Sequence, residues 1–241
     1  MDHTHRQEVF NIISLNKDRL QKNLVALEMR IARAAQQAGR KRNDIELVAV
    51  TKTVLTEVAG DLYELGIRTM GENRPQELKK KSAELPKVNW HFIGRLQRNK
   101  VKDVVGKVAL IHSLDRWPLA EVINKRAAEQ GIVQKVLLQV NVSGEESKTG
   151  ITVRQIDDFL QAAVDLKHIN ISGFMTMAPL EADTFEIRRI FAQLNHEFMR
   201  CREQYGQLAD IKYLSMGMSN DFELAIAEGA NMIRVGSLLF V

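Results

Sequence analysis

A run of strand-forming apolar residues, Leu47-Val48-Ala49-Val50, leads straight into Thr51-Lys52, and no acidic residue follows until Glu57. A lysine placed there has no obvious local partner. The unperturbed pKa of lysine is about 10.4, so at neutral pH only on the order of one in a thousand is the free amine that attacks a carbonyl. Desolvation or a neighbouring cation lowers that pKa and makes a Schiff-base nucleophile. The plainer alternative is a strand-end lysine that reaches water or pairs with a carboxylate such as Glu72.

The C-terminal stretch "SMGMSNDFELAIAEGANMIRVGS" carries a second constellation. Gly217 permits close backbone approach, Ser219 or Asn220 can cap the helix that follows, and the first N–H groups of that helix face an anion. Gly236-Ser237 repeats the small-residue pattern. Read alone, these are turn glycines. In barrels of eight strands, however, glycine-rich corners after the last two strands bind phosphate. A Schiff-base lysine after the first strand, with a phosphate cup after the seventh and eighth, is the geometry of a pyridoxal phosphate site. A further lysine, Lys148 in "GEESKTGI", lies between Gly144 and Gly150 and is expected to be an exposed loop lysine able to approach the same mouth.

These residues need elements to position them. From Lys17 to Ala38, Leu20, Leu24, Leu27, Ile31 and Ala35 recur at steps of three or four, and Gly39 supplies a stop, so a long amphipathic helix is predicted. Eight β-rich runs follow: Leu47–Val50, Thr69–Gly71, Trp90–Ile93, Leu110–Ser113, Val136–Val140, Ile169–Phe174, Tyr213–Ser215 and Met232–Val235. Helical segments alternate with them at Leu55–Leu65, Pro75–Glu84, Leu96–Val104, Pro118–Gln130, Val153–Leu166, Thr184–Tyr205 and Asp221–Glu228. Such alternation builds a closed barrel or an open doubly wound sheet. The absence of G-x-G-x-x-G after the first strand and the count of eight favour the barrel. Ser237 to Val241 leaves no room for an eighth helix, so the extra N-terminal helix is expected to cover that gap. The expectation is an α/β chain, one single (β/α)8 TIM barrel domain over residues 1–241.

The chain has 241 residues and a formal charge of +4. Its densest basic cluster, Lys79-Lys80-Lys81, falls in a predicted helix and is expected to be a solvated face, which argues against a nucleic-acid partner. The one cysteine, Cys201, excludes an internal disulfide and leaves a metal site without its usual ligand clusters. Met1 to Phe10 is polar, with two histidines and no signal-peptide core, and no apolar run approaches the roughly 20 residues of a membrane span. A cytoplasmic protein without a membrane partner is expected.

Several stretches together resemble the pyridoxal phosphate homeostasis proteins, relatives of the barrel domain of alanine racemase: "AVTK" (Ala49–Lys52), "GEN" (Gly71–Asn73), "WHFIGRLQRNK" (Trp90–Lys100), "NVSGEESKTG" (Asn141–Gly150), "LSMGMSNDFELAIAEGA" (Leu214–Ala230) and "RVGS" (Arg234–Ser237). The resemblance spans nearly the whole chain in the family's order. It implies an alanine racemase N-terminal-domain-like barrel that holds pyridoxal 5'-phosphate as an internal aldimine on Lys52. Ser219, Gly236 and Ser237 match the phosphate cup, with Met216 and Gly217 in the same corner, and Asn73 matches an asparagine near the cofactor. Arg234 matches the arginine facing the pyridine nitrogen. Guanidinium only donates, so that nitrogen stays unprotonated and is a poor electron sink.

The implied function is therefore a non-catalytic, monomeric carrier in cofactor homeostasis that releases its cargo to apo-enzymes. A racemase or lyase is the alternative. Alanine racemases, however, take an opposing tyrosine base from a second, β-rich domain. This chain ends with its barrel and has only Tyr63, Tyr205 and Tyr213, two of them in predicted helices. A second alternative, an aldolase-like barrel using Lys52 without cofactor, would be colourless. Three departures from the family pattern stand out: Thr51 where serine is common, Arg74 where an aromatic is common, and an end at Val241 where relatives continue with a glycine and a short tail.

Overall fold

A computed structural model describes residues 17–145, 148–206 and 210–241 of the chain. The N-terminal reading of Met1 to Phe10 lies outside the described residues. Nine parallel strands form the sheet: β1 (Glu46–Val50), β2 (Thr69–Glu72), β3 (Asn89–Phe92), β4 (Leu110–Leu114), β5 (Gln134–Asn141), β6 (Ile151–Thr152), β7 (Ile169–Met175), β8 (Tyr213–Ser215) and β9 (Met232–Val235). Their order is β4-β3-β2-β1-β9-β8-β7-β5-β6, and β4 pairs with β5, which closes eight of them into a barrel. The short β6 pairs only on the edge of β5, outside the ring. Those eight barrel strands are the eight β-rich runs of the sequence, which makes this a (β/α)8 barrel.

The helices are α1 (Lys17–Gln37), α2 (Thr56–Glu64), α3 (Pro75–Glu84), α4 (Trp117–Glu129), α5 (Ile156–Ala163), α6 (Thr184–Tyr205), α7 (Phe222–Ala227) and α8 (Ser237–Phe240). Proline opens α3 and α4, where a missing N–H costs nothing, and the Asp183 side chain caps α6 by accepting from Glu186 N at 2.8 Å. The segment expected to be helical at Leu96–Val104 is a 3-10 helix, Arg98–Asp103, with Val101, Val104 and Val105 buried. A full α-helix does not form there. One turn of helix, α8, occupies the end where none was expected.

The extra first helix covers the side of the barrel below that short end. Leu20, Leu24, Leu27, Ile31, Ala34 and Ala35 form its buried stripe, and it packs on α7 and α8. Asn23 Nδ2 donates to Leu239 O at 3.1 Å and Val241 O at 3.0 Å, so its side chain satisfies carbonyls that a four-residue helix leaves free. Arg30 meets Glu223 of α7 with two bonds of 2.9 Å.

Alternation along the strands separates two cores. Leu47, Ala49, Ile111, Val136, Leu138, Phe174, Leu214, Ile233 and Val235 point outward, into a shell shared with the helices. Val48, Leu110, Leu137, Met175 and Met232 point inward and make a small, separate apolar cluster with Tyr213 against it. Two residues further along the strands, the interior turns polar: His112 follows Leu110, Gln139 follows Leu137, Ser215 follows Tyr213 and Arg234 follows Met232. That polar layer is the floor of the mouth.

Candidate functional site

The strand order decides which corners share the rim. β2, β1, β9 and β8 are consecutive neighbours, so Asn73, Lys52, Gly236-Ser237 and Met216 to Ser219 stand side by side at the carboxyl ends. The lysine and the glycine-rich corners are adjacent, not across the mouth from one another.

Lys52 follows β1 by two residues and is exposed. The desolvation expected at its amine is not supplied by the described residues around it. Its expected alternative partner, Glu72, is already engaged. Glu72 is fully buried, accepts from Lys81 Nζ and from Thr51 Oγ1 at 2.6 Å each, and its other oxygen, Oε2, has no hydrogen-bond partner among the described residues. Lys81 Nζ also donates to Thr51 O at 2.7 Å. The basic cluster thus divides: Lys79 and Lys80 are exposed, while Lys81 is 1% exposed and ties the end of β2 to the residue before Lys52. Helical spacing explains it, since Leu78 and Lys81, three apart, share the buried face of α3.

The corner after β8 is shaped by close packing. Gly217 sits at φ 90°, and a Cβ there would lie 2.6 Å from Ala225 Cβ and 2.9 Å from Phe222 Cα, so only glycine fits. Its carbonyl accepts from Arg234 N at 3.0 Å. Ser219 Oγ accepts from Gly236 N at 3.4 Å, which brings the two glycine corners together, and a Cβ on Gly236 would lie 3.2 Å from Val50 O of β1. The helix that follows is capped neither by Ser219 nor by Asn220. Asp221 holds that position, its carboxylate accepting from Met218 N. Burial raises the Asp221 pKa, against the pull of Met218 N–H and of Arg234. Met216 points away from the mouth: it is fully buried in the outer shell, and its backbone N–H donates to Met232 O.

Arg234 is 4% exposed and reaches up from β9 into the floor. Its Nη1 donates to Ser215 Oγ at 2.6 Å and its Nη2 to Thr176 O at 2.9 Å. Burial pulls its pKa down to about 10, opposed by Asp221, so it remains charged at neutral pH. Behind Ser215 lie two buried histidines: Ser215 Oγ is 3.1 Å from His112 Nδ1, and His112 Nε2 is 3.0 Å from His91 Nδ1. Burial pushes His91 down to about 3 and His112 well below the usual range, the latter helped by His91 and by the Arg234 charge. Both rings are neutral at neutral pH.

Ser215 opens the C-terminal stretch quoted above, whereas His112 lies outside every motif drawn from the sequence and His91 falls within one, Trp90–Lys100, without a role of its own. The available signal was an imidazole in the middle of an apolar run on two consecutive strands, "WHF" and "IHS". Beyond β5 the rim is pinned by side chains, Gln139 Nε2 donating to Thr149 O and Asn141 Nδ2 to Glu145 O. Lys148 is only one-quarter exposed and lies 3.6 Å from Glu145, with its Nζ buried and without a hydrogen bond among the described residues. It is not the solvated loop lysine expected. No cluster of three metal-ligating side chains occurs among the described residues, and no described helix is long and apolar enough to cross a membrane.

Residues 23–241 match the family model described as alanine racemase, N-terminal domain. A pyridoxal phosphate homeostasis protein of Aquifex aeolicus is 44% identical over 213 residues, 88% of this chain and 92% of that protein. The structure of PipY of Synechococcus elongatus with pyridoxal phosphate bound superposes with a TM-score of 0.81 at 34% identity, covering 92% of this chain and all of PipY (100%). An alanine racemase of Corynebacterium glutamicum shares the fold alone: TM-score 0.69, 14% identity, 92% of this chain and 60% of that one.

Proposed function

The chain belongs to the alanine racemase N-terminal domain family and, within it, to the pyridoxal phosphate homeostasis proteins, and from that premise we propose that it holds pyridoxal 5'-phosphate at the barrel mouth as a carrier rather than a catalyst. The observation that carries this reading is the placement of Lys52, the Ser219/Gly236-Ser237 corner and Arg234 on three neighbouring strands. Those residues suit the group chemically. A phosphate needs backbone N–H groups at close approach, and the two corners meet where Gly236 N lies 3.4 Å from Ser219 Oγ. A pyridine nitrogen needs a donor, and only two of the five N–H groups of Arg234 are committed to Ser215 and Thr176. Lys52 offers an amine to the aldehyde, and Asn73, half-buried beside it, is a neutral hydrogen-bonding group.

When bound, the group supplies a reactive aldehyde on an aromatic ring that can accept electrons if its nitrogen is protonated. A charged, buried guanidinium has no acceptor and keeps that nitrogen unprotonated. This supports custody over turnover. The tyrosines offer no opposing base: Tyr63 lies on α2, Tyr205 ends α6, and Tyr213 packs beneath the polar layer inside the barrel. Apo-enzymes as recipients, a monomeric state and a cytoplasmic setting follow from the same reading.

The test is the absorption spectrum of the purified protein loaded with pyridoxal phosphate, before and after borohydride. A visible band should appear, bleach on reduction, and be missing in Lys52→Ala while the far-UV signal of the fold is kept. A band that persists in Lys52→Ala overturns the assignment, and steady conversion of an added amino acid would favour the racemase or lyase.

A further inference from the structure

The four side chains Arg234, Ser215, His112 and His91 form one unbroken file across the barrel interior, with contacts of 2.6, 3.1 and 3.0 Å. Polar filling is not forced on this space, because one layer below the same interior is closed by Val48, Leu110, Leu137, Met175 and Met232. Burying four polar groups costs free energy unless each is paired.

The first of these pairings has a fixed direction. Guanidinium has no lone pair to accept with, so Ser215 Oγ must accept from Arg234 and turn its own hydrogen elsewhere. Ser215 Oγ keeps a second lone pair as well as its own hydrogen, so it pairs with His112 Nδ1 in either neutral tautomer of that ring, and His112 Nε2 pairs with His91 Nδ1 in turn. Burial keeps both rings neutral, so the file carries one charge, that of Arg234.

We infer that His112, acting through Ser215, is a positioning residue for Arg234, and that this file sets how strongly the mouth prefers a ligand with an unprotonated ring nitrogen. The inference rests on the reading of the mouth as a pyridoxal phosphate site. A guanidinium that swings freely would average its N–H groups over several directions. Clamped by Ser215 on one side and Thr176 O on the other, it presents its remaining donors in one.

The experiment compares affinity for pyridoxal phosphate and for its analogue with carbon in place of the ring nitrogen. The variants are Ser215→Ala, His112→Phe and, as a control, Val48→Ala, which makes a cavity in the same interior without changing a polar group. The wild type should favour pyridoxal phosphate by about tenfold or more, and the preference should fall to within about twofold in Ser215→Ala and His112→Phe. Val48→Ala should move both affinities together. A preference that survives in both variants, or that is missing in the wild type, overturns the inference. Should His112→Phe fail to fold, Ser215→Ala decides alone.

Nitrogen-15 NMR of the arginine side chains in ligand-free protein separates this inference from the reading beneath it. Separate, slowly exchanging Nη signals from Arg234 are expected in the wild type and averaged ones in Ser215→Ala. Averaged signals in the wild type overturn the positioning role, even if the cofactor binds. A wild type that takes up no pyridoxal phosphate removes the proposed function and the ring-nitrogen half of the inference, while the NMR result still decides whether Arg234 is held.

Discussion

The inner and outer faces of the barrel are built by alternate residues of the same strands, yet near the mouth they hold opposite kinds of matter. On β4, Ile111 and Leu114 face a continuous apolar shell, while His112 faces a file of hydrogen bonds. On β9, Ile233 and Val235 close the shell, while Arg234 stands between them pointing inward. The shell is non-directional and adds stability in proportion to apolar area removed from water. The interior file is directional and holds groups in particular orientations. A strand can serve both because one residue step turns a side chain to the opposite face.

Substitutions should divide along this boundary. Phe191 of α6 is fully buried in the shell, and Phe191→Ala should destabilise the protein by about 3–5 kcal/mol in denaturant unfolding. Affinity for pyridoxal phosphate should stay as in the wild type once the variant is folded. A large loss of affinity there would dissolve the boundary. Lys81→Ala sharpens it from the other side, because the Lys81–Glu72 pair is polar, buried and outside the file. Leaving Glu72 uncompensated should cost a similar amount, about 3–5 kcal/mol. Unlike Phe191→Ala, this change should also weaken cofactor uptake, since Lys81 holds the carbonyl of Thr51 next to Lys52.

Smaller effects are expected at the rim. Ser219→Ala and Ser237→Ala should each remove a charge-assisted bond worth about 1.5–3 kcal/mol, roughly ten- to hundredfold in affinity. Pyridoxal, which lacks the phosphate, should bind almost unchanged. Equal losses for both ligands in a titration would return the serines to the fold.

The last effect is a slope. Unfolded histidine takes up a proton below about pH 6.5, whereas folded His91 does so only near 3 and His112 well below the usual value. The unfolded chain thus binds more protons across that window, so stability is lost as pH falls from about 6.5, by up to about 1.4 kcal/mol per pH unit for each ring. Buried Glu46 and Asp221, whose pKa values are raised, act in the opposite sense. The measurement is therefore the difference in slope between the wild type and a variant with both histidines replaced by glutamine. Identical slopes would mean that the rings are not held neutral by the interior.

Much of this was legible from local pattern. Tyr213–Ser215, Met232–Val235, Pro75–Glu84 and Thr184–Tyr205 have the bounds read from the sequence, and the N-terminal helix covers the short C-terminal end as expected. Less local features escaped. The single-turn α8, the edge strand β6 and the 3-10 form of Arg98–Asp103 are each too short to show a period. Asp221, not Ser219 or Asn220, holds the N-cap position of α7 without a side-chain capping bond, its carboxylate turning back to Met218 N, a matter of turn geometry rather than residue type.

By itself, the sequence determined where the eight barrel strands would lie and that a lysine and two glycine corners would stand at strand ends. Those facts follow from periodicity and from turn chemistry, which act over a few residues at a time. Only the tertiary structure decided that β9 closes onto β1, making Lys52 and Gly236-Ser237 neighbours. It likewise decided that Lys81 leaves its basic run to bury against Glu72, that Met216 turns into the shell, and that His91, His112, Ser215 and Arg234 meet. These partners are 9 to 103 positions apart in the chain. Ring closure sets their distances, and a pattern that acts over a few residues carries no information about it.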